Sequence, residues 1–194
     1  MGCSNSNSVT TRIDAELIYE INKIRKEPSS YLGIISKNKS KIQKNKNINK
    51  SKEGVDAYEE AEKFLKDCPE NQNELIPSIG LFRIAQDFLK EFKKYEIDKV
   101  DNIDINKIID KYGQYSGDLH KLIICGGDEA ESVVNNLIVC DGEQNREQRN
   151  KLFDKSFKKI GVAHGEHPKY KYASIFILST DFDNINDQDD VLDI

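Results

Sequence analysis

The chain has 194 residues, 37% of them hydrophobic and 32% charged, with a net charge of −5. That length suits one domain burying roughly 70% of its unfolded surface. The acidic balance gives no general argument for nucleic-acid binding, and no apolar run approaches the ~20 residues needed to span a bilayer.

Met1-Gly2-Cys3-Ser4-Asn5-Ser6 fits the N-myristoylation pattern M-G-x-x-x-[ST], with Cys3 placed to accept a second acyl chain. One myristoyl chain binds a bilayer only marginally, with K on the order of 10⁴ M⁻¹, so stable anchoring needs that second signal. No apolar h-region follows Met1, so residues 1–11 are expected to form an acylated leader on a non-secreted chain.

Thr11-x-x-Asp14 reads as a capping box ahead of Ile13, Leu17, Ile21 and Ile24 at helical spacing. Pro28 ends that helix, and residues 31–35 are expected to add a turn or two. Residues 36–52 carry seven lysines and no acid, and read as a low-complexity loop. A second helix is expected over 54–66, stopping at Asp67-Cys68-Pro69. Pro77-Ser78 opens the strongest helical pattern, whose apolar face runs from Ile79 through Phe82, Phe88 and Phe92 to Tyr95.

A short helix around 105–111 follows, then turns at Tyr112-Gly113 and Ser116-Gly117 and an apolar run over 119–125. Asp128 is the expected cap of a helix carrying Val133, Val134, Leu137 and Ile138. Two strands close the domain, a short one over 159–163 and another over 170–178. The second is apolar on both faces, as a central strand requires. Residues 183–194 read as an acidic tail. Helices on two faces of a small sheet predict an α/β fold, a three-layer α/β/α sandwich in one domain over 12–182.

Candidate chemistry is sparse. Cys3, Cys68, Cys125 and Cys140 lack metal-ligand spacing and read as reduced, partly buried thiols. His164-x-x-His167 offers a metal clamp with Glu166 or Asp181, but a structural hydrogen bond is the favoured role for His167. His120 is expected near a cleft. Arg146 and Arg149 are expected to pair with Asp141, Glu143 or Asp154 and brace their loop, with anion binding as the other reading. Gly126-Gly127 lacks the Gly-Lys-Ser/Thr of a phosphate loop.

Four motifs in fixed order carry a resemblance. They are Leu17-Ile18-Tyr19-Glu20-Ile21-Asn22-x-x-Arg25-x-x-Pro28, Leu81-x-x-x-Ala85-x-Asp87 and Tyr112-Gly113-x-Tyr115-x-Gly117. The fourth joins Asp141-Gly142, Arg146-x-x-Arg149, Leu152-Phe153, Gly161-Val162-Ala163 and His167-x-x-Tyr170. The series resembles the CAP superfamily of cysteine-rich secretory, antigen-five and pathogenesis-related proteins, with its SCP-like domain. The lysine-rich segment and the arginine block look most like versions from single-celled eukaryotes.

The resemblance implies a cleft with two histidines and two acids, which holds a divalent metal in some members. Here the corresponding positions hold Phe88, Lys121 and Gln148, with Glu131 or Glu129 as the remaining acid. It therefore implies a degenerate CAP domain whose tetrad is largely lost, with no catalytic residue, metal or cofactor. The expected function is a non-enzymatic intracellular module on the cytoplasmic face of a membrane, tethered through Gly2 and Cys3. Its lysine segment would touch anionic lipid, and the domain would bind lipid or protein but no nucleic acid. The alternative is a structural subunit of a large assembly such as a cytoskeletal or ciliary complex.

Overall fold

The computed structural model describes residues 10–44 and 51–185. Helix α1 (Arg12–Lys26) starts at the expected capping box, in which Thr11 and Asp14 exchange side-chain-to-backbone hydrogen bonds. Its inner face buries Leu17, Ile21 and Ile24. Arg25 is also fully buried, and its guanidinium donates to the carbonyls of Asn73 and Leu152. A 3-10 turn over Pro28–Tyr31 leads into α2 (Leu32–Lys44).

Helix α2 corrects the loop expected from residue 36. Ile35 is fully buried, Leu32 and Ile34 pack against the core, and Lys39 pairs with Glu62 at 2.6 Å. Lysine, serine and glutamine tolerate helical backbone well enough for that packing to decide the outcome. The rest of the expected loop (45–50), the leader (1–9) and most of the expected tail (186–194) lie outside the described residues.

The chain continues through α3 (Val55–Asp67), β1 (Ile76–Pro77), α4 (Ile79–Phe92), α5 (Ile105–Ile109) and β2 (Gly113–Cys125). It then forms α6 (Ala130–Val139), α7 (Glu147–Leu152), β3 (Lys159–His167) and β4 (Lys171–Asn184). Tyr112 ends a turn as expected, but residues 113–117 are strand rather than turn. Gly117, at φ +77°, sits where the register slips between Ser116 and Leu119, so the glycine marks a bulge. Helix α6 is preceded by Glu129 as its N-cap, not Asp128. The acidic stretch begins inside β4, which holds Asp181 and Asp183.

The four strands run in the order β1-β3-β4-β2, with β1 parallel to β3 and the other pairs antiparallel. Strand β4 is central, so that Leu178, for example, is flanked by Ile160 on one side and His120 on the other. Alternation divides the core. Leu122, Ile160, Val162, Phe176 and Leu178 join the cluster of α1, α3 and α6, while Ala163, Ile175 and Ile177 join that of α4 and α5. The result is a single three-layer α/β/α domain. Helix α4 lies so close to the sheet that a Cβ built on Gly161 would stand 2.0 Å from the Leu81 carbonyl carbon. Among the described residues no helix is long and apolar enough to cross a membrane.

Candidate functional site

A cleft of about 590 Å³ opens between α2, α3, α6 and the end of β2. Its walls mix apolar and polar groups: Asn38, Asn135, Asn136 and Gln148 supply amides, Ser51, Ser132 and Tyr58 supply hydroxyls, and Lys41, Asp141 and Glu143 supply charges. Asn38 Nδ2 donates to Asn135 Oδ1 at 3.1 Å, and Asn135 Nδ2 donates to Asn136 Oδ1 at 3.3 Å. Asn135 projects from α6 with 4% exposure, so it couples α2 to α6 from inside the wall. Sequence reasoning missed it. An asparagine between the apolar positions of a helix was the available signal, since a buried amide requires partners.

Two thiols also line the cleft. Burial pushes the Cys125 thiol up to about 11 and the Cys140 thiol to about 12. Cys140 ends α6 in a left-handed conformation, φ +48°, and its Sγ–H donates to the Leu137 carbonyl at 2.9 Å. Both remain thiols at neutral pH, and so neither is a ready nucleophile.

The four positions singled out by resemblance do not converge. Gln148 lines the cleft, where its Oε1 accepts the Ile123 N–H at 2.8 Å and its Nε2 donates to Glu143. Phe88 and Lys121 meet on the α4 side of the sheet, where the Lys121 ammonium lies 5.9 Å from the centre of the fully buried Phe88 ring. Lys121 also pairs with Asp101 at 3.0 Å. Glu131 is exposed on the first turn of α6 and acts electrostatically on Tyr31. One cleft for all four is thus corrected. Side chains alternate along β2, so Lys121 goes to the layer opposite α6.

The arginines are placed by acids that sequence reasoning missed. Arg146 donates to Glu53 at 2.6 and 2.5 Å, to Glu60 at 2.9 and 2.7 Å, and to the Cys140 carbonyl at 2.8 Å. Arg149 pairs with Glu60 and lies 4.7 Å from the Phe64 ring centre. The expected partners act elsewhere. Asp141 accepts the N–H groups of Lys52 and Glu53, Asp154 binds Ser156, and Glu143 meets Arg146 only through its carbonyl. Hydrogen bonds from Arg146 and the Gly142 N–H push the Glu53 carboxyl down to about 2. Arg146 also lowers Glu60, and both carboxylates raise Arg146. The cluster clamps α3 to α7 behind the cleft.

The histidines are dispersed. His164 and His167 both belong to β3, where residues three apart face opposite sides, so the alternative metal clamp cannot close and His167 takes the favoured structural role. His164 Nδ1 lies 2.8 Å from Ser174 Oγ, and burial lowers its pKa. His167 is buried against Phe92 and Tyr170. Its Nδ1 accepts the Lys169 N–H at 3.2 Å, which leaves Nε2–H to donate to the Phe92 carbonyl at 3.2 Å. His120 stands 3.8 Å from Glu147, its pKa lowered chiefly by burial. Among the described residues no group of three or more His, Cys, Asp or Glu side chains is placed to hold a metal. Gly2 and Cys3 lie outside the described residues.

No protein-family model matches the chain, and no curated protein matches it at a significant level. Among solved structures, an outer surface protein from Borrelia burgdorferi is similar at 17% identity and a TM-score of 0.46, over 66% of this chain and 90% of its own. A cysteine-rich secretory protein from Staphylococcus aureus is similar at 15% identity and a TM-score of 0.38, over 68% of this chain. The alignment spans 40% of that second protein's length.

Proposed function

We propose that the chain is a non-enzymatic, CAP-type binding module, tethered to the cytoplasmic face of a membrane by acyl groups on Gly2 and Cys3. Its amide-lined cleft takes an uncharged polar portion of a lipid or protein. The observation that carries this reading is the position of Gln148. Where the sequence resemblance implies an imidazole, an amide joins α7 to the edge of β2 and stands with three asparagines around the cleft. Amides offer paired donors and acceptors, and the two carboxylates that line the cleft are already engaged, Asp141 by the Lys52 and Glu53 N–H groups and Glu143 by Gln148, which suits recognition better than turnover. The tether is supported by the Met1-Gly2-Cys3-x-x-Ser6 motif.

Metabolic labelling with alkyne analogues of myristate and palmitate tests the tether in the wild type and in Gly2→Ala and Cys3→Ser. The myristate label is expected to vanish in Gly2→Ala, and the palmitate label in both variants. No incorporation into the wild type would remove the tether. Gly2→Ala protein retained in a detergent-insoluble fraction would favour the structural-subunit alternative.

A further inference from the structure

Helix α2 turns the lysine-rich stretch into a shaped surface. At about 100° per residue, Lys37, Lys41 and Lys44 fall within an arc of about 60°. All three are exposed, on the side opposite Ile35 and Ile42. Lys39 lies off this face, where Glu62 holds it at 2.6 Å. Small residues border this face: Gly33 has open space around its α-carbon, and Ser40 lies on the same side. None of the three is ion-paired with a described residue, and α2 itself has no acid. Two acids of the adjoining α3 are already engaged, Glu62 by Lys39 and Glu60 by the arginine pair.

We propose that this face of α2 is a docking surface for an anionic lipid bilayer. The proposal deepens the membrane-tether reading and rests on it for biological sense, though its physics is separate. A flat helix face carrying only lysines complements a diffuse negative surface, because each ammonium needs attraction without a fixed geometry. Nucleic acid is the weaker match. The face has no arginine to fork onto a phosphate and no aromatic ring to stack on a base. Lys41 also stands at the rim of the amide-lined cleft. Docking along α2 would therefore bring the mouth of the cleft to the headgroup layer.

Each lysine near such a surface strengthens association about fivefold, so three give about 100-fold. The test uses the purified full chain without acyl groups, so failure of the acyl tether cannot be mistaken for failure of this surface. Sedimentation with vesicles of phosphatidylcholine alone, or with about one-third phosphatidylserine, is measured at about 20 mM and about 500 mM salt. The wild type should prefer the anionic vesicles about 100-fold at low salt and lose the preference at high salt. Lys37→Ser, Lys41→Ser and Lys44→Ser should each cost about fivefold, and the triple variant should bind both vesicles alike with an unchanged circular dichroism spectrum. Lys39→Ser should keep the preference. Equal wild-type binding to both vesicles, a salt-insensitive preference, or a folded triple variant that keeps it would overturn the proposal. Wild-type protein that co-sediments with polyuridylate but not with anionic vesicles would overturn it in favour of nucleic acid.

Discussion

The side-chain carbonyl of Gln148 accepts the backbone N–H of Ile123 at 2.8 Å, which fastens α7 to the outer edge of β2. An edge strand otherwise presents such groups to water or to another chain. Gln148→Ala should cost about 1 kcal/mol, read from the urea midpoint. Gln148→Glu would set a carboxylate beside Glu143, with which Gln148 now bonds. Mutual repulsion raises such a pair, so this variant should be less stable above about pH 5 than below it.

The Arg146 cluster contributes to the acid limb of stability, alongside the lowered Asp87, Asp154 and Asp181. Glu53 and Glu60 titrate lower when folded than the ordinary 4.5 of an unfolded glutamate, Glu53 at about 2. Their contribution is therefore complete above about pH 4.5 and is lost as pH falls towards 2. Urea midpoints measured between these limits should fall steeply in the wild type. The fall should be shallower in Glu53→Gln, which no longer titrates.

Gly161 should resist substitution more than its neighbour in the same strand. A Cβ there meets backbone of α4, the Leu81 carbonyl carbon at 2.0 Å and the Phe82 nitrogen at 2.3 Å, which cannot rotate aside. A Cβ on Gly165 meets only the tip of the Leu89 side chain, at 3.3 Å. Gly161→Ala should cost about 3 kcal/mol or more, and Gly165→Ala about 1 kcal/mol or less, by thermal melts of both proteins.

The cleft thiols should be slow to alkylate. At pH 8, a thiol at about 11 is ionised in about one molecule per thousand, and one at about 12 still less. Mass spectrometry after a brief iodoacetamide pulse should find Cys125 and Cys140 unmodified in native protein and labelled in urea. Rapid native labelling of Cys125 would show that the cleft opens more widely than its walls imply.

What the sequence made legible was local. The Thr11–Asp14 cap involves neighbours three residues apart, and the apolar face of α4 and the two-faced β4 announce themselves by period alone. Helix α2 was obscured because polar side chains conceal how little of it, chiefly Ile35, needs burying. The first half of β2 resembles turn sequence because Ser116-Gly117 opens a bulge and Gly113 sits tightly against Phe182, and long-range pairing with β4 overrides both signals. The site was least legible, since its clamp joins Arg146 to acids 93 and 86 residues earlier. Likewise, the separation of Lys121 from Gln148 depends on strand parity along β2, which motif order does not encode.

The central place of β4 bears on how the molecule comes into being. Strands β2 and β3 do not pair with each other, and both take their antiparallel partner from residues 171–184. During synthesis the helices and the other three strands therefore leave the ribosome before the element that joins β2 to β3. The sheet cannot close until translation has passed that segment, so folding of this domain should be a concerted event that waits for β4.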